Sequence, residues 1–181
     1  MKKTEKNIIL GITASIAIYK ACEIIRKLRA CGFCVHVVMT KEAQELIKPI
    51  VFQSLSGNKV YRSDIFEELD AWKIEHVALA QKAGLILIAP ATANIIAKLS
   101  AGICDDLLTC VVCASKAKVL IAPAMNENMF KNKITQSNIA KLKSCGYKFI
   151  DPTSGVLACG AKGIGCLADT EEIIKEVKKI L

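Results

Sequence analysis

Apolar residues fall along this chain in two patterns. Some form short unbroken runs, and others recur every three or four residues. Residues 7–12, 33–39, 85–89 and 119–122 are unbroken runs, which suits strands buried on both faces. The third run stops at Pro90 and the fourth at Pro123. Between the first two, Ile18, Cys22, Ile25 and Leu28 have helical spacing within residues 15–29, and Gly32 ends that pattern. Residues 41–57 read as helical with a break near Pro49, and 74–83 as a short helix. Residues 92–101, 105–114 and 135–145 are further helices, and 147–150 is a strand. A Gly-rich loop, 151–169, precedes a last helix at 170–181. Alternating strands and helices predict a parallel sheet covered on both faces, a three-layer α/β fold. Ligands in such folds sit at the carboxyl ends of the strands.

Composition narrows the picture. The length of 181 residues fits one domain, taken here as residues 1–181. Hydrophobic residues are 52% and aromatics only 5%, so the core is Ile, Leu, Val and Ala. No apolar run approaches a membrane span, and the basic amino terminus runs directly into a strand rather than a secretory segment. The expected location is cytoplasmic, without a membrane partner. The net charge is +8, but the lysines are scattered and lack interleaved aromatics, so nucleic acid is not the expected partner. A small phosphorylated ligand, or plain solubility, accounts for the excess equally well. Nine cysteines include two CxxC pairs, Cys31/Cys34 and Cys110/Cys113. Their apolar, loop-free settings favour small buried hydrophobes over zinc, so no metal is expected.

Candidate chemistry lies at the strand ends. The first strand leads into Gly11-Ile12-Thr13-Ala14-Ser15 and then a helix. Ser15 can cap that helix, and free N–H groups with Thr13 and Ser15 hydroxyls can cradle a phosphate. An ordinary capped helix would look the same. There is a single glycine and no acid ending the second strand, which closes Met39-Thr40-Lys41, so a monophosphate such as FMN fits better than a dinucleotide. Pro90 to Asn94 and Pro123 to Phe130 bring small residues and two amides, Asn94 and Asn126, to the same edge. His36 alternates within the second strand and reads as structural.

Pro90-Ala91-Thr92-Ala93-Asn94 resembles the PASAN motif of the flavin-containing cysteine decarboxylases. Pro123-Ala124-Met125-Asn126-Glu127-Asn128-Met129-Phe130 resembles their PxMNxxMW motif, and Gly155 to Gly165 resembles their substrate clamp with its ACGxxGxG core. The turn Gly11 to Lys20 is also similar, and the likeness runs over essentially the whole chain in family order. The resemblance implies a flavodoxin-like, Rossmann-like fold that binds FMN and assembles as a homotrimer or multiples of trimers, with neighbouring subunits completing each site. By resemblance, Ser15, Thr40, Ala91, Thr92, Ala93 and Asn94 contact FMN, joined by Thr13 and Ala124. Asn126, Met129 and Gly160 contact substrate, and Asn126 holds its carboxylate.

His76 lies just before the strand leading into the PASAN-like motif, the place of the family's active-site histidine. Taken alone it would read as a surface or packing residue. Cys159, in the ACG segment, resembles the acid that protonates an intermediate during its reduction. The implied reaction oxidises a cysteine thiol to a thioaldehyde, which acts as the electron sink for loss of CO2, and then returns the hydride. The ACG cysteine points to the reductive branch, in the coenzyme A pathway, which converts 4'-phosphopantothenoylcysteine to 4'-phosphopantetheine. Rival readings are a peptidyl-cysteine decarboxylase, which would not need Cys159, a flavin prenyltransferase, and a flavin-binding regulatory subunit. Three departures stand out: Cys166-Leu167 where that branch commonly has Arg-Met, Phe130 for the motif's Trp, and Thr92 for Ser. Many bacterial relatives continue into a phosphopantothenoylcysteine synthetase domain. Such a synthetase would here be a separate polypeptide.

Overall fold

The computed structural model describes residues 6–62, 75–156, 160 and 162–181. Six strands make one parallel sheet: β1 (Asn7–Ile12), β2 (Cys34–Met39), β3 (Val60–Arg62), β4 (Leu85–Ala91), β5 (Lys118–Pro123) and β6 (Lys148–Phe149). Their order is β3-β2-β1-β4-β5-β6. That is the doubly wound, Rossmann-type order, and it reverses between β1 and β4. The β1 and β4 side chains alternate between two cores, so both faces must be covered. Ile8, Leu10, Leu85 and Leu87 join one core, and Ile9, Ile86 and Ile88 the other. Each side chain buried in this way contributes about 1.5–3 kcal/mol.

The covering helices are α1 (Lys20–Ala30), α2 (Lys41–Leu46), α3 (Pro49–Ser56), α4 (Glu75–Lys82), α5 (Ala93–Ala101), α6 (Leu107–Ala114), α7 (Glu127–Lys131), α8 (Lys133–Ser144) and α9 (Thr170–Ile180). Residues of α1, α3 and α9 pack on the first core. Those of α4, α5, α6 and α8 pack on the second. Among the described residues no helix is long and apolar enough to cross a membrane.

The structure differs from the sequence reading in instructive places. Helix 15–29 begins with a 3-10 turn, Ile16–Tyr19, because Ser15 caps that turn before α1 starts. Pro90 does not stop its strand, which runs on to Ala91, whereas β5 ends at Pro123 as expected. The sheet register shifts between Ile88 and Ala91, which accommodates a residue without an N–H, and pairing resumes as Ala91 meets Pro123. The Gly-rich loop holds an antiparallel hairpin, β7 (Thr153–Val156) with β8 (Lys162–Cys166). The cysteines expected to be buried are not: all eight described are exposed or half-buried. Cys31, Cys113 and Cys145 lie at or beside helix ends rather than in the core. His36, by contrast, is 3% exposed.

Candidate active site

The β1–β4 crevice is built by side-chain caps. Ser15 Oγ accepts from the Ala17 N–H at 3.3 Å. Thr40 caps α2, accepting from the Ala43 N–H at 3.3 Å, and Thr92 caps α5, accepting from the Ile95 N–H at 3.4 Å. Each cap turns a helix start toward one edge, where N–H groups and the helix dipole favour an anion. Thr13, which lines one of the cavities here, also has a structural task. It is buried, its hydroxyl donates to the Pro90 carbonyl at 2.8 Å, and it accepts from the Thr92 N–H at 3.1 Å. Its single proton is thus committed to tying β1 to β4.

Two adjoining cavities open above these caps. The larger, about 490 Å³, is lined by residues including Ser15, Lys20, Ala124, Asn126 and Met129. The smaller, about 340 Å³, is lined by residues including Thr13, Thr40, Asn94, Lys98 and Asp106. Ala14, Thr92 and Met129 line both. The alanines leave room for a flat ring beside the backbone, and the caps supply donors for an anionic group. This donor set fits a flavin.

The far wall of the larger cavity comes from elsewhere in the chain. Gly165, Cys166 and Leu167 line it, together with Val156 from the other strand of the hairpin. The Met125 N–H donates to the Gly165 carbonyl at 3.0 Å, docking β8 beside the end of β5. Asn126 caps α7, accepting from the Asn128 N–H at 2.8 Å.

One chain therefore brings together Thr13, Ser15, Thr40, Thr92, Asn94, Ala124, Asn126 and Met129. It does not bring the rest. Ala91 is fully buried, and its carbonyl accepts from the Ala124 N–H, so it lies beneath the site rather than in it. Ala93 opens α5 without lining either cavity, and Gly160 is an exposed bend that lines neither. His76 is half-buried in the first turn of α4, whose packing partner is α6, and it lines neither cavity. Cys159 lies outside the described residues.

Sequence reasoning passed over several residues of the site. Asp106 caps α6 in a reciprocal box with Thr109, and the Asp-x-x-Thr spacing was a readable signal. Lys98 bonds Asp105 at 2.9 Å and Asp106 at 3.3 Å. The Asp105 bond, above all, holds the Lys98 ammonium above the ordinary lysine range. The second cavity's cation is thus already paired. Lys20 reaches the Leu167 carbonyl at 3.4 Å and is the charged residue lining the larger cavity. Among the described residues no cluster of three or more His, Cys, Asp or Glu is placed to hold a metal.

Comparison with known proteins agrees with this geometry. One family profile, Flavoprotein, matches residues 1–181. A probable phosphopantothenoylcysteine decarboxylase from Streptococcus mutans serotype c is 47% identical over 178 residues, 97% of this chain and 99% of that protein. The coenzyme A biosynthesis bifunctional protein CoaBC of Bacillus subtilis is 44% identical over 174 residues, 96% of this chain but 43% of that longer protein. Among solved structures, the FMN-dependent cysteine decarboxylase SpaF matches with a TM-score of 0.83 at 28% identity, covering 96% of both chains. A PPC decarboxylase variant complexed with pantothenoylaminoethenethiol matches with a TM-score of 0.85 at 26% identity, again covering 96% of both.

Proposed function

The chain belongs to the Flavoprotein family, and on that premise we propose that it is an FMN-dependent decarboxylase converting 4'-phosphopantothenoylcysteine to 4'-phosphopantetheine. One observation carries the reading. The crevice of capped helix starts opens directly into a second cavity faced by Asn126 and the β8 wall, so a flat cofactor and an acyclic carboxylate can lie side by side. The S. mutans relative, matched along nearly its whole length, supports the substrate.

Bound FMN supplies a hydride acceptor for the substrate's thiol-bearing carbon and a donor for the later reduction. The protein's residues do the rest. Ser15, Thr40, Thr92 and Asn94 hold the cofactor's polar groups, while Ala14 and Ala124 keep the ring's approach open. Asn126 orients the substrate carboxylate as an amide donor, without a cation that would stabilise it against loss of CO2. Met129 covers the substrate's apolar stem. Cys159 supplies the proton that the intermediate takes up as it is reduced. His76 assists proton movement from an adjoining subunit, since it lines neither cavity of its own chain. That role requires a homo-oligomer, which we take to be a trimer or multiple of trimers acting in the cytoplasm. Residues 1–181 would form one domain, with the hairpin region as its clamp.

The test is turnover. Purified yellow protein incubated with phosphopantothenoylcysteine should release CO2 and 4'-phosphopantetheine, followed by mass. The Cys159→Ser variant should stall at a product two mass units lighter, because loss of CO2 leaves the enethiol and only the reduction needs the extra proton. A flavin-loaded protein inert toward this substrate but active on cysteine-terminated peptides would overturn the substrate. Failure to bind flavin would overturn the mechanism.

A further inference from the structure

We propose that Lys20 is a specificity-determining residue that recognises the terminal phosphate of the substrate. This rests on reading the larger cavity as the substrate site. Among the described residues lining that cavity, Lys20 is the one charged side chain, and none is acidic. It opens α1 directly after the 3-10 turn that Ser15 caps, and it is half-buried. Its Nζ donates to the Leu167 carbonyl at 3.4 Å. Leu167 is buried in the first core, so that carbonyl is a fixed point at the foot of the hairpin wall. The bond is long and its acceptor is neutral. An ammonium has three N–H donors, so one such carbonyl leaves capacity for a ligand.

The smaller cavity supplies the contrast. Its lysine, Lys98, lies 2.9 Å from Asp105 and 3.3 Å from Asp106, so its charge is already matched. Lys20 makes no such ion pair among the described residues. The single acid of α1, Glu23, bonds Lys27 at 2.8 Å instead. A half-buried cation facing an acid-free cavity attracts an anion more strongly than one in bulk water, because the medium around it screens less. The substrate brings two anionic groups. Its carboxylate goes to the Asn126 amide, and its phosphate monoester, with about −1.5 to −2 charges at pH 7, is left for Lys20. FMN carries the same phosphate chemistry. The cap donors of the crevice serve that group, whereas Lys20 is bonded to the wall on the substrate's side.

The test is a cycle of two changes, one in the protein and one in the ligand. In the FMN-loaded oligomer, KM for phosphopantothenoylcysteine should lie on the order of 10- to 100-fold below KM for unphosphorylated pantothenoylcysteine, with similar kcat, the range of a hydrogen bond to a charged group. Lys20→Met keeps the apolar stem and removes the charge. It should raise KM for the phosphorylated substrate by that factor and leave the unphosphorylated one nearly unchanged, the non-additivity of one contact cut twice. Lys20→Arg restores the cation and should recover most of the loss. Independently of turnover, calorimetry should show the same pattern for 4'-phosphopantetheine against pantetheine. Equal losses on both members of a pair would make Lys20 a carboxylate contact or a packing residue and overturn the proposal. So would a wild type that does not distinguish the two substrates. Weakened FMN binding with riboflavin binding unchanged would assign Lys20 to the cofactor's phosphate and overturn it as well. Should Lys20→Met fail to fold, Lys20→Gln takes its place in the same cycle. A protein that turns over neither substrate, yet prefers 4'-phosphopantetheine to pantetheine only while Lys20 is intact, would condemn the functional reading and support the phosphate contact.

Discussion

The cavity has two walls held by different physics. The wall at the β1–β4 crevice grows out of the sheet. Its caps sit on strands whose side chains are buried, and Thr13 locks them from a position 2% exposed to solvent. Apart from Leu167, which joins the first core, the residues of the hairpin wall belong to neither core. Gly155 and Gly163 face each other across it, and Val156 is 66% exposed. A few polar contacts from the segment after β5 hold it. Disturbing the first wall should therefore cost stability and cofactor together. Disturbing the second should cost activity while leaving the fold alone.

The largest effect should come from the hairpin. Gly165 has φ +146°, and a Cβ there would overlap the Met125 carbonyl oxygen. In Gly165→Ala, undocking β8 relieves a clash and backbone strain that would otherwise cost the fold about 1–3 kcal/mol. Steady-state assays should show kcat/KM falling by up to about 100-fold, the equivalent of that strain. Thermal unfolding should move little. A large drop in Tm would break the comparison, because it would place the hairpin within the cooperative core.

Thr13→Val tests the other wall and should have a smaller, differently distributed effect. Valine keeps the volume but leaves the Pro90 carbonyl and the Thr92 N–H without their partner. Each group orphaned in a buried place costs about 1–3 kcal/mol. Urea unfolding should report that loss, and flavin titration should show weaker binding, because Thr92 is no longer steered. Full stability with normal flavin affinity would mean that the crevice does not depend on this lock.

These walls were unequally legible in the sequence. The crevice was written in local signals: unbroken apolar runs, Ser and Thr caps, and the small residues after Pro90 and Pro123. Those signals were also incomplete. Thr13 lines the smaller cavity as its turn suggests, yet its proton goes to the Pro90 carbonyl 77 residues away, a contact no local pattern reveals. The hairpin was harder to read. Its glycines suggested a loop, whereas its two strands pair with each other and β8 docks through the Met125 N–H to the Gly165 carbonyl, a tertiary contact. Glu127 sits at a variable position of its motif and carries no message until its carboxylate is seen against Gly163. His76 illustrates a limit of another kind. The motif order marks it, but a single chain does not bring it to either cavity.

The smallest effect probes the sheet itself through pH. His36 lies in β2, 3% exposed, with Cys34 Sγ 3.5 Å from its Nε2. Burial, and secondarily the charge of Lys82, depress its pKa below the ordinary histidine value. In the unfolded chain it takes up a proton near pH 6.5. The unfolded state therefore binds more protons than the native state as pH falls below that value, and stability declines. The contribution is complete above about pH 6.5 and is lost as pH falls toward the depressed native value. One proton limits the slope to about 1.4 kcal/mol per pH unit. His36→Gln removes the titration, so unfolding measured at pH 7.5 and 5.5 should differ less in the variant than in the wild type. Activity at pH 7.5, scaled to bound flavin, should be unaffected, since His36 lines neither cavity. An equal pH response in both proteins would show that acid weakens the molecule elsewhere.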